Sequence, residues 1–123
     1  MKWISLGGES FSLDQIENEI IRPGFKDARI HFAVNCAAKS CPPLHNEALT
    51  AQNVQAKLDS LTEAFINNGK FNLLEGDVRI SRIFEWYQAD FGILSRFINK
   101  YAQKKIPENV VPGYLEYDWA LNE

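Results

Sequence analysis

Apolar residues change their period along the chain, and each change marks an element. Trp3 to Leu6 is a short strand that Gly7-Gly8 ends in a turn. Ser12 opens a helix: Gln15 stands three positions on, as in a capping box, and Phe11 can staple onto Ile16. Leu13, Ile16 and Ile20 share one face of it. Arg22-Pro23-Gly24 is expected to close the helix, because proline pushes the residue before it out of helical geometry. Arg29 to Cys36 (RIHFAVNC) alternates, which predicts a strand with Ile30, Phe32, Val34 and Cys36 on one face and His31, Ala33 and Asn35 on the other.

A loop follows from Ala37 to Ala48, with Pro42-Pro43 inside it. Thr50 begins the clearest helix, stapled by Leu49 and Val54, with Val54, Leu58, Leu61 and Phe65 in one stripe and Asn67-Asn68-Gly69 as its stop. Phe71 to Leu74 and Val78 to Ser81 predict a hairpin around Glu75-Gly76-Asp77. Ser81 caps a helix carrying Ile83, Phe84, Trp86 and Tyr87 that breaks near Gly92. Another runs from Ile93 to Lys105 with Leu94, Phe97, Ile98 and Tyr101 inward, and beyond Pro107 and Pro112 the segment Tyr114 to Leu121 is extended. Strands and helices are interspersed without a βαβ rhythm, so the expected fold class is α+β: a short antiparallel or mixed sheet packed with four to five helices in one compact domain.

Length and composition fit that reading. The 123 residues are one domain's worth, and 46% hydrophobic with 24% charged residues is ordinary for a globular chain. No apolar run approaches the ~20 residues of a membrane span, and the N-terminus has no signal-peptide pattern, so a soluble chain is expected. A net charge of −3 argues against nucleic acid as a partner. Arg96, Lys100 and Lys104 fall at i, i+4 spacing and form either a solvated ridge or a phosphate-binding one.

Phosphate-loop, dinucleotide, serine-elbow and zinc-protease motifs are absent, and no cofactor is implied. What remains is a cluster of His31, Cys36, Cys41 and His45 within fifteen residues. Their spacing matches no common zinc pair, and His31 and Cys36 would leave opposite faces of the predicted strand, so no metal site is expected. A Cys36–Cys41 disulfide would close a short loop and stabilise little. Cys36 reads as a small core residue. Cys41 is different, because Pro42 holds it extended in a loop. If Pro42 began a helical turn, Cys41 would cap it and the dipole would favour thiolate.

Cys41 is therefore the candidate nucleophile and His31 the candidate base, with Asn35 or Glu17 orienting the imidazole. Pro42 and Pro43 have no N–H to offer an oxyanion, so donors are expected from the Cys41 amide, the Asn35 side chain or elsewhere. Three functions follow: a thiol-dependent hydrolase or transferase, a redox module binding a small thiol such as glutathione, and a non-catalytic interaction module whose histidine–cysteine loop is architectural.

The stretches SLDQIENEIIR, DARIHFAVNCAAKSCPPL, RISRIFEWYQADFG and YDWALN together resemble domain-of-unknown-function family 547. The resemblance implies a poorly characterised group, common in bacteria and found in eukaryotic multidomain proteins, some with glutaredoxin domains. Members usually carry an upstream helical segment with an Asn-x-Tyr-Asn motif. The resemblance thus implies that this chain corresponds to the C-terminal portion of the family domain, with a secreted or periplasmic location open. Its element order also invites comparison with transglutaminase- and papain-like folds, in which His31 would match the strand histidine.

Overall fold

The computed structural model describes residues 4–34, 38–43 and 47–121. Strands β1 (Ile4–Leu6) and β2 (Glu9–Phe11) pair antiparallel, Ile4 opposite Phe11. Gly7 and Gly8 turn between them with φ of 57° and 84°, the left-handed values a tight hairpin needs and glycine supplies. Only the first of these strands is legible in the apolar pattern.

Ser12 caps the next segment as expected. Its Oγ accepts from Gln15 N at 3.1 Å, and Gln15 Oε1 accepts from Ser12 N at 3.1 Å. The segment then runs through α1 (Leu13–Gln15), a π-helical stretch (Ile16–Ile21) and α2 (Arg22–Phe25). The expected stop at Arg22-Pro23-Gly24 is wrong. A π turn bonds i to i+5, as Arg22 N–H does to Glu17 O. That wider winding carries the i−4 carbonyl clear of the proline ring. Lys26, at φ 51°, ends the helix instead.

The larger correction concerns the predicted strand from Arg29 to Cys36. Ala28–Phe32 is a 3₁₀ helix. Asp27 caps it by accepting from Arg29 N at 3.0 Å, and Ile30 N–H reaches Asp27 O at 3.2 Å. That cap turns the chain where alternation alone predicts extension. Ile30, His31 and Phe32 are consequently all buried, so the imidazole does not face away from the aliphatic residues. Cys36 lies outside the described residues, and with it the test of the disulfide reading.

Helix α3 (Val54–Ile66) starts four residues after the expected Thr50; in the turn before it Thr50 N–H donates to Asn53 Oδ1 and Asn53 N–H to Thr50 Oγ1. It buries Leu58, Thr62, Phe65 and Ile66. Arg29 ties the 3₁₀ turn to α3 through Asp59 at 2.8 Å and Gln55 at 2.6 Å. The expected hairpin is present in reduced form, as Leu73 bridging Arg79. From it β3 (Arg79–Ile80) pairs in parallel with β4 (Gly113–Tyr114). Buried Asn72 braces this corner, accepting from Ser81 N and donating to Phe65 O.

Ser81 caps α4 (Arg82–Trp86), and a break at Tyr87 precedes α5 (Gln88–Phe91). Gly92, at φ 66°, turns into α6 (Leu94–Tyr101). That last helix stops short of the expected Lys105, because Asn99 Oδ1 accepts from Ile106 N and Lys105 Nζ covers the Asn99 and Ala102 carbonyls. The basic ridge is correspondingly broken: Arg96 pairs with Glu108, and Lys104, beyond the helix, pairs with Glu75.

The architecture is a single α+β domain: among the described residues the 3₁₀ turn, α3 to α6 and the β3–β4 pair enclose one core, to which the β1–β2 hairpin contributes no residue. Phe32 lies at its centre, with ring centroids 4.9 Å from Phe65, 5.7 Å from Phe84 and 5.9 Å from Phe91. Among the described residues no helix is long and apolar enough to cross a membrane.

Candidate functional site

The 3₁₀ turn that buries Phe32 also buries the residue before it. His31 is 4% exposed. Its ring stacks on Tyr87 at 4.1 Å and 17°, and its Nε2 lies 2.8 Å from Asp90 Oδ2 on α5. The same carboxylate oxygen accepts from Arg22 Nε at 2.8 Å, and Arg22 also donates to Asn18 Oδ1. Arg22, beside it, holds the Asp90 carboxyl below the ordinary carboxylate range, with the bond from His31 adding to the effect. Asp90 is therefore ionised near neutrality and only accepts, so Nε2 carries the hydrogen and the lone pair lies on Nδ1.

Burial pushes the His31 pKa down; the bond to Asp90 opposes this without cancelling it. The resting imidazole is neutral, as a proton acceptor must be. A proton taken at Nδ1 would make an imidazolium already paired with a carboxylate.

Cys41 is 3% exposed and sits in the turn Ala38–Cys41, where its own N–H donates to Ala38 O at 3.1 Å. Its Sγ lies 3.8 Å from Val34 O in the geometry of a weak S–H donor. Pro42 and Pro43 belong to no helix, so the expected helical cap at Cys41 is not formed there. The Cys41 amide, already bonded, is likewise not the expected oxyanion donor.

The C-terminal segment is strapped onto this turn. Ser40 N–H donates to Asp118 O, Asp118 N–H to Ser40 Oγ at 2.7 Å, and Lys39 N–H to Ala120 O at 2.9 Å. An extended segment points alternate side chains the same way. Tyr117 and Trp119 thereby come together over Trp86, with centroid separations of 4.5 to 5.6 Å among the three rings.

A cavity of about 180 Å³ results, and His31, Cys41 and Glu17 all line it, with Trp86, Tyr117 and Trp119 among its walls. Three of the four site residues expected from sequence thus line one cavity; Asn35 lies outside the described residues, as does His45. Sequence reasoning missed Asp90 and Tyr87, which are 59 and 56 positions from His31 and leave no local pattern. Among the described residues no three His, Cys, Asp or Glu side chains converge as a metal site.

Residues 1–66 match the model of a family described as a protein of unknown function, DUF547. The match takes in the first two of the four resembling stretches, and the other two lie beyond it. No curated protein and no solved structure matches the chain.

Proposed function

Since the chain belongs to the DUF547 family, whose function is not known, the reading has to come from the site, and we propose a thiol-dependent acyl hydrolase or transferase. Cys41 is the nucleophile, His31 the general base, and Asp90 the group that orients and charges the base. One observation carries this: the thiol and a neutral, carboxylate-braced imidazole line the same cavity.

The step balances as ordinary acyl transfer. The Cys41 proton passes to His31 Nδ1, Sγ forms a bond to the carbonyl carbon of an ester or thioester, and the leaving oxygen or sulfur departs with the proton His31 returns. Water or a second nucleophile then releases the acyl group. Oxyanion donors come from outside the proline loop, and the phenol and indole groups lining the cavity are the candidates. Glu17, the orienting residue expected from sequence, lines the cavity but is not the partner of Nε2.

Intact-mass measurement after incubation with short-chain thioesters tests the reading. The expected result is a single acyl adduct on Cys41, absent in Cys41→Ser and slower by roughly a hundredfold in His31→Gln, the usual scale of general-base loss. An adduct formed equally fast in His31→Gln would sink it.

A second reading has its own support. Thiol–disulfide exchange needs no oxyanion hole, and the Cys41 turn offers no unbonded backbone donor at residues 41 to 43. Under that reading oxidised glutathione leaves a glutathione adduct at Cys41 while thioesters leave none.

A further inference from the structure

The C-terminal segment that walls the cavity is held in two unlike ways. Its near end is built into the fold: Gly113 N–H donates to Val78 O at 2.9 Å and Leu115 N–H to Ile80 O at 3.0 Å, beside a wholly buried Ile80. Its far end rests on the turn that carries Cys41, through the bonds from Lys39 and Ser40, the return bond from Asp118 and the antiparallel bridge of Ala38 with Leu121. Between these ends Leu115 to Trp119 belong to no helix or strand, and none of residues 111–121 is buried. Directly beneath, Ala38, Cys41 and His31 are all buried.

An exposed segment laid over a buried one can open while the rest of the fold stays closed. Such an opening costs the contacts of the moving piece, not those of the core. Here it would release the bonds to Lys39 and Ser40, which water can replace, and separate Tyr117 and Trp119 from Trp86. Tyr117 packs on the core cluster from a half-buried position, and the cluster's own buried residues all lie outside the segment. The closed cavity, about 180 Å³, equals the share of about six liquid waters, so a larger reactant reaches the thiol only if a wall moves.

We propose that residues 116–121 form a lid, hinged after Leu115, that swings off the Cys41 turn to admit a reactant larger than the cavity and closes again on Ser40 and Lys39. As a statement about regulation this rests on the thiol reading, since a lid of this kind commits a substrate and then excludes water. As a statement about access to Cys41 it stands on the strap alone.

Labelling of Cys41 by a coumarin maleimide, too bulky for the closed cavity, reads the opening when it is followed from zero urea up to the unfolding transition. Peptide mass separates Cys41 from Cys36. Without urea the folded chain is expected to react at least roughly a hundredfold more slowly than the unfolded one. The rate should rise with urea along less than about half the slope of global unfolding, because a lid exposes a fraction of the surface. Asp118→Pro removes the N–H that reaches Ser40 Oγ in a segment already extended. It should speed labelling roughly five- to tenfold, as the loss of one or two net hydrogen bonds gives, with the urea midpoint of the domain nearly unchanged. Phe32→Leu should do the opposite, lowering the midpoint and leaving labelling at low urea unchanged.

Labelling with the slope of global unfolding, labelling as fast as in the unfolded chain, or equal rates in Asp118→Pro and wild type overturns the lid. The slope reads access and not reactivity, so folded His31→Gln should share it. A lid slope without acyl transfer would remove the thiol reading and leave the lid standing, and acyl transfer on an unprotected Cys41 would do the reverse.

Discussion

Phe32→Ala is expected to lower the stability of the domain by ~3–5 kcal/mol, the usual cost of emptying a buried aromatic site. Phe32 is 1% exposed and meets the rings of Phe65, Phe84, Phe91 and Phe97, so no one neighbour can collapse into the space alone. A domain of this size has only ~5–15 kcal/mol in total, so the variant should be largely unfolded well before the wild type. Urea titration should show the midpoint falling by at least about 1 M at unchanged slope. Phe32→Leu keeps most of the apolar contact and should lose less. A loss below about 1 kcal/mol in the alanine variant would mean that the ring is not central to the core. The effect reaches the site as well, because Phe32 is what holds the turn bearing His31 against the core.

Asp90→Ala should produce the second largest effect, about 2 kcal/mol. Most of this comes from leaving the buried Nε2–H of His31 without an acceptor. The Arg22–Asp90 bond adds little, since both side chains are more than a quarter exposed. Arg22 nevertheless ties the N-terminal helical segment to α5, so trypsin should cut faster after Lys26 in this variant. The pH dependence should change too. The folded His31 pKa lies below its ordinary 6.5, so on acidification the unfolded chain takes up that proton first. This contribution is complete above about pH 6.5 and is lost as pH falls through the window below it. Asp90, with its folded pKa below 3.8, contributes above that value and loses its share only in stronger acid. Removing Asp90 takes away the main group holding the His31 pKa up. The loss of melting temperature between about pH 7 and pH 5 should therefore steepen. An unchanged profile would show that Asp90 does not govern the imidazole.

Where one side chain acts on its immediate neighbours, the sequence was legible: the Ser12 box, the Ser81 cap and the Gly92 break all follow from residue type. It misled where two local signals competed. Arg29 to Cys36 alternates like a strand, yet Asp27 caps a 3₁₀ turn, and once three consecutive residues are buried the period carries no information. At Pro23 the usual helix-breaking rule failed because a π turn absorbs the ring. That Cys41 and His31 line one cavity could be guessed from their proximity in the chain. Its support could not: Asp90 arrives from α5, and Tyr117 and Trp119 arrive through hydrogen bonds from the C-terminal segment to Ser40 and Lys39.

The central claim is that His31 serves as the proton acceptor for the Cys41 thiol. Its most direct test is the rate of Cys41 alkylation by iodoacetamide, a small neutral probe, followed across pH in the wild type and in folded His31→Gln. The account predicts that the wild type reacts at least roughly tenfold faster near pH 7 and that its rate climbs through the titration of the imidazole, a rise the variant lacks. Superimposable pH–rate curves for the two proteins would contradict it.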